Sequence, residues 1–216
     1  MGNYEYIISS LPFLTTDYRY DEGKDFRYVI SEIRRDLSEK DNEALDFLLD
    51  GFRPEKLDAD FYAAALARPE RFLREYFRFD LNLRNAKVRY LNRQLGRDSE
   101  MDVLSGMGDT LEDQNLDIDL YRFRGGDFEE ALKVNTVLSG TDLLSREKGL
   151  DDIVWEKVDS LGLFHYFDLT SVLAYVAKLH IVDRWLALDE ETGRELFRKL
   201  VKEVRGTFKG VEYKEK

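Results

Sequence analysis

The stretch ERFLREYFRFDLNLRNAKVRYLNRQL, residues 70–95, decides the fold. Phe72, Tyr76, Phe79, Leu83, Ala86 and Tyr90 recur at steps of three and four, which puts them on one stripe of an α-helix. Leu73, Phe77, Leu81, Val88, Leu91 and Leu95 form a second stripe. A helix apolar on two faces must pack between neighbours, so the spacing predicts a long central helix with Gly96 as its C-terminal stop.

Working toward the N-terminus, residues 57–67 read as a helix ended before Pro69. Asp41 is the expected cap of a helix through Leu49, stopped by Gly51. From Lys24 to Leu37, Phe26, Val29, Ile30, Ile33 and Leu37 share one helix face. Residues 15–23 are polar and read as loop. Residues 4–11, YEYIISSL, fit a short strand or the opening of a helix equally well, and Pro12 ends either.

Toward the C-terminus, residues 98–126 carry Gly106, Gly108, Gly125 and Gly126 and no period, so they read as a connecting loop. Helices are expected again at 127–138, from Thr141 or Asp142 to Ser160, at 168–188 with Leu169, Val172, Leu173, Val176, Leu179 and Trp185 inward, and at 189–204. The tail from Gly206 is polar. The expectation is an all-α protein, with a short N-terminal strand as the one open variant. Its units are a helical segment 1–97, an acidic connection 98–126 and a helical segment 127–216, or one continuous domain.

Composition agrees with a folded helical chain. The 216 residues include 14 Phe and 12 Tyr but only three Pro, with 36% charged residues. A net charge of −11 repels phosphate polymers and anionic lipid overall. With no cysteine, disulfides, thiol nucleophiles and cysteine metal sites are excluded. The longest unbroken apolar run, Phe61–Ala67, is far short of the roughly 18 residues a membrane span needs, and the start lacks a basic leader; the cytoplasm is the expected location. Charge is uneven. Residues 68–97 hold nine bases against three acids, whereas 98–120 hold eight acids and no base. A basic helix facing an acidic loop of the same molecule accounts for this, and a partner-docking surface is the other reading.

The search for chemistry returns no catalytic, cofactor or metal residue. His165 and His180 lack a Glu three residues before them, Gly162 and Ala177 standing there, so neither di-iron spacing nor His-Glu-x-x-His occurs. Gly106 and Gly108 lack a third glycine and a preceding strand, and their flanks are acidic. Asp113, Asn115, Asp117 and Asp119 alternate like a calcium loop, but its sixth and twelfth positions hold Ile118 and Arg124 instead of Gly and Glu. Asn82, Asn85, Asn92 and Gln94 in the central helix either lock register or line a polar cavity.

Two stretches carry a resemblance. Phe79 to Arg97, FDLNLRNAKVRYLNRQLGR, resembles the Asp-x-x-Asn-Leu helix of the C-type stalk subunit of V/A-type ATPases, the relative of the eukaryotic d-type subunit. Thr170 to Val204 is similar to the C-terminal region of the same family. Leu173, Ala174, Tyr175 and Val176 match the opening of its Leu-Ala-Tyr-Val helix, and Asp183 stands near its acid. The opening Tyr4-x-Tyr6 through Ser9-Ser10-Leu11-Pro12 resembles a small family of short proteins encoded beside bacterial V-type ATPase genes. The resemblance implies a funnel of helical units, about two here instead of three. Phe79-Asp80-Leu81 recurs as Phe167-Asp168-Leu169. It also implies a non-catalytic coupling role, peripheral on the cytoplasmic membrane face, with central-stalk subunits and the proteolipid ring as partners and no nucleic acid. The alternatives are a small-ligand binder or enzyme using a polar cavity near Asn82, Asn85 or His165, and a nucleic-acid adaptor using 68–97, where arginines interleave with aromatics.

Overall fold

A computed structural model describes residues 3–16, 25–104 and 128–187. Within them the chain is all-helical, with eight α-helices, one 3-10 turn at Pro54–Lys56 and no strand. The helices are α1 Tyr4–Ser10, α2 Phe26–Asp36, α3 Glu39–Asp50, α4 Ala59–Leu66, α5 Arg71–Gln94, α6 Ala131–Leu138, α7 Leu143–Gly162 and α8 Leu169–Leu186. No helix among the described residues is long and apolar enough to cross a membrane.

The N-terminal segment is a helix and not a strand. Asn3 caps it by accepting from the Tyr6 N–H, and helical spacing buries Ile7 against the core while Tyr6 faces out. Tertiary burial overrides the β-leaning composition there. The cap of α3 is Ser38 and not Asp41. The Ser38 Oγ accepts from the Asp41 N–H at 3.3 Å, and Asp41 occupies the third helical position, its carboxylate accepting from the Ser38 hydroxyl at 2.6 Å and the Tyr4 hydroxyl at 2.8 Å. Burial first, then the Asp41 partner, pushes Tyr4 up to about 12. Asp142 caps α7 and Asp168 caps α8, the latter in a reciprocal box with Ser171. Gly96, just past α5, has φ +66, a conformation in which a side chain would be strained.

Helix α5, about 36 Å long at 1.5 Å per residue, spans two apolar clusters. The larger gathers Ile7, Val29, Ile33, Leu45, Leu48, Tyr62, Phe77 and Leu81 with Leu173, Val176 and Leu179 of α8, so it draws side chains from both sides of the 98–126 connection. The smaller joins Phe79, Leu83 and Ala86 of α5 to Phe128, Val134 and Leu138 and to Leu150 and Ile153 of α7. The first stripe of α5 is therefore divided between the two cores. The second stripe is buried only as far as Leu81: Val88 is half-buried, and Leu91 and Leu95 are exposed, because the described residues cover the last turns of the helix on the face of Tyr90 and Asn92 and not on theirs. The repeated tripeptide occupies unlike positions. Phe79 is buried in mid-helix, whereas Phe167 is exposed just before the α8 cap.

Helices α7 and α8 form an antiparallel hairpin cross-linked along its length. Asp151 takes hydrogen bonds from Arg184 and Trp185, Lys178 pairs with Asp159, and the backbone of Gly162 comes close to Ala174. Gly106, Gly108, Asp113, Asn115, Asp117 and Asp119, the 189–204 helix and the tail from Gly206 lie outside the described residues.

Candidate interaction surface

The buried amides of α5 fix a returning chain. Asn85 donates from Nδ2 to the Leu104 carbonyl at 2.9 Å and accepts from the Leu104 N–H at 3.1 Å. Two turns on, Asn92 donates to the carbonyls of Met101 at 2.6 Å and Ser99 at 3.3 Å. Between them Arg89 forks onto the two carboxylate oxygens of Glu100, each at 2.9 Å. These amides satisfy backbone and do not line a cavity. The Arg89–Glu100 fork is one contact between the basic helix and the start of the acidic stretch, as the charge pattern suggests.

A polar seam crosses the helices nearby. The fully buried Tyr62 of α4 donates to Asp80 Oδ2 at 2.6 Å, and Arg84 Nε donates to the same oxygen at 2.7 Å. Burial, then the Asp80 charge, raises the Tyr62 and Tyr76 hydroxyls well above the usual tyrosine range, so both stay protonated donors. Burial also lowers Lys87, with Glu147 working against it. The hydrogen-bonded seam joins α4 to α5, and the charges of Glu147 and Asp151 on α7 and Arg184 on α8 act on it.

The basic helix likewise uses its charges internally. Arg74 donates to the carbonyls of Arg68 and Pro69 at 2.7 and 2.8 Å, and Arg78 and Arg84 pair with Glu75 and Asp80. Phe72, Tyr76 and Phe77, which a nucleic-acid platform would offer to bases, are in the core. His180 is clasped by Phe52, stacked at 4.0 Å, and by the edge of Phe26 at 6.2 Å. Burial, then Arg184, lowers it to about 4, so it is neutral at pH 7. Among the described residues no three acidic or histidine side chains converge as a metal would require. Two surface clefts, one around Pro12, Tyr28 and Glu32 and one around Arg78, Glu130 and Lys157, are lined by none of Asn82, Asn85 or His165.

His165 lies elsewhere, in the connection between α7 and α8. Residues 163–167, LFHYF, are a consecutive apolar and aromatic run, and it faces solvent: Leu163 is 60% exposed, Phe164 78%, Tyr166 66% and Phe167 56%. The His165 N–H donates to the Gly162 carbonyl at 2.9 Å across a tight turn. Leu163, at φ −58 and ψ 130, and Phe164, at φ +66, have the backbone of a type II turn, which ordinarily carries Gly where Phe164 stands. A left-handed conformation at a bulky residue costs about 1–2 kcal/mol. His165 Nδ1 lies 2.5 Å from Asp168 Oδ2, while Asp168 Oδ1 caps α8 at the Ser171 N–H, so the turn is tied to a helix start. An exposed apolar run of this kind is a candidate contact surface. Sequence reasoning places no element at 161–167 and weighs there only His165, with Phe167 as part of the repeated tripeptide. The signal that could have found the turn is an aromatic run held between a helix-ending glycine and a capping aspartate, with no helical period of its own.

A family profile described as "Protein of unknown function (DUF2764)" matches residues 53–207. No curated protein and no solved structure matches the chain. The matched region takes in α4 through α8 and with them the exposed 163–167 turn, and on that extent the chain belongs to the DUF2764 family.

Proposed function

We propose that this protein is a non-catalytic coupling component of a V/A-type rotary ATPase, acting peripherally at the cytoplasmic membrane face through contacts with the central stalk and the proteolipid ring. The observation that carries this reading is the exposed aromatic turn at the end of a braced helical hairpin, which offers apolar surface for contact. The resemblance to the C-type stalk family supports the choice of partner. The described parts of its two stretches fall on α5 and α8, which contribute to one core that holds Leu81 together with Leu173 and Val176. Coupling rotor to ring requires a body that does not shear, and aromatic packing from Phe47, Phe61, Tyr76 and Phe77 around one point suits that demand.

The test is co-purification. The full chain, tagged in its native cells, is expected to bring down stalk subunits and the proteolipid ring from detergent-solubilised membranes. Recovery of neither, in membranes where the ATPase itself is intact, refutes the reading.

A further inference from the structure

We propose that the 162–168 turn is a preformed anchor that inserts Phe164, flanked by Leu163 and Phe167, into an apolar socket with a basic rim on a protein partner; the inference rests on the docking reading above and specifies its chemistry. Two unfavourable features coincide at one residue. Phe164 is the most exposed side chain of the turn, and it also holds a backbone conformation that suits glycine. Nothing in folding requires an aromatic there, since the ring packs on no core. A glycine would close the same turn with less strain.

The turn is also held rigid on both sides. The end of α7 at Gly162 packs beside Ala174 of α8 before the turn, and Asp168 clasps His165 and Ser171 after it. A side chain held in its binding geometry loses little entropy on docking. Large aromatics at the centre of an interface carry much of its energy.

Charge selects the partner. Asp168, about half exposed, borders the turn while it caps α8, Asp159 is balanced by its Lys178 partner, and the attraction for a basic rim therefore comes chiefly from the whole chain, which carries −11. Anionic lipid is repelled by that field, and two copies would bring like net charges together. A protein socket rimmed by Lys or Arg is attracted, with a salt-dependent approach rate.

The experiment uses the full chain, wild type and Phe164→Gly. A benzophenone amino acid is placed in native cells at position 164, and separately at the exposed Leu132 of α6 as control. The expected result is a crosslink from 164 alone to one protein. Its binding to the purified chain should weaken with salt and at least tenfold on Phe164→Gly, while the melting temperature of that variant holds or rises by about 2–4 °C. If that protein is a stalk or ring component, both proposals stand. If it meets the same affinity criteria but belongs to another assembly, the anchor stands and the ATPase reading falls. Crosslinks from 164 to lipid or to a second copy, from both positions alike, or from neither, overturn the anchor. So does Phe164→Gly binding within twofold of wild type.

Discussion

Replacing Asp151 by alanine removes the carboxylate that ties α7 to the last turn of α8. It is only 6% exposed and accepts from the Trp185 indole at 2.6 Å and from Arg184. Breaking a buried ion pair costs about 3–5 kcal/mol. Here that figure must be reduced, because the Arg184 side chain is about half exposed and can turn to water. The lost indole bond to a charged acceptor contributes about 1.5–3 kcal/mol. The expected loss for Asp151→Ala is therefore about 2–3 kcal/mol, and roughly 1 kcal/mol for Asp151→Asn, which keeps an oxygen for the indole. At about 2–4 °C per kcal/mol for a chain of this size, the alanine variant should melt roughly 5–10 °C lower. Urea unfolding followed by tryptophan fluorescence reads the site directly, since Trp155 and Trp185 are the two tryptophans. A loss under about 0.5 kcal/mol for alanine, or equal losses for alanine and asparagine, refutes the assignment of the energy to the indole–carboxylate bond.

Gly51→Ala should cost about 3 kcal/mol in urea unfolding, the upper end for overpacking, because the new Cβ would sit 2.3 Å from the Phe77 ring, itself wedged by Phe47, Phe61 and Tyr76; an unchanged midpoint contradicts this. His180 makes stability fall with acid: its folded pKa of about 4 lies below the ordinary 6.5, so the unfolded state binds the proton more readily and stability is lost as pH drops from above 6.5 toward 4. Its share at pH 5 is about 2 kcal/mol, and His180→Phe should flatten the difference between pH 7 and pH 5 by that amount in parallel denaturant titrations. Asn92→Leu should release residues 97–104 from α5, seen as faster amide exchange confined to that segment, with exchange in the α5 core unchanged.

Much of the helical plan was legible because burial here follows helical period. The first stripe of α5, the 26–33 face and the inward residues of α8 all lie in the core, and Asp142 caps its helix as its residue type suggests. What stayed open or failed has physical causes. Tyr4–Ser10 fits strand or helix by composition, and one asparagine cap and one buried isoleucine decide for the helix. Ser38 with Asp41 three residues on is a Ser-x-x-Asp cap signal, and reading Asp41 as the cap overlooks its partner. Leu91 and Leu95 keep the period of the second stripe but lie on a face of α5 that no described residue covers, while Asn92 beside Leu91 is buried, which periodicity alone does not reveal. The amide clamp was half legible: composition marks Asn85 and Asn92 as amides needing partners, while only the fold shows that those partners are backbone groups of the returning chain. The 163–167 turn was the least legible, since aromatic residues in a sequence normally argue for an interior.

On the coupling reading proposed above, the bracing of the hairpin and the exposure of its tip serve one mechanical role. A load entering at Phe164 passes into α7 and α8 together, because Gly162–Ala174, Asp159–Lys178 and Asp151–Arg184 resist sliding at the tip, the middle and the far end. From α8 it reaches the main core through Leu173, Val176 and Leu179, and from α7 it reaches the second core through Leu150 and Ile153. Both cores are built on α5, so the one long helix receives the load by two routes. Each route is close-packed and therefore poorly compressible. A docking tip on a flexible loop would lose position under load. Here the strained turn sits on a braced hairpin that leads into both cores, and on the coupling reading softening that hairpin at Asp151 should reduce coupling even where the tip still binds.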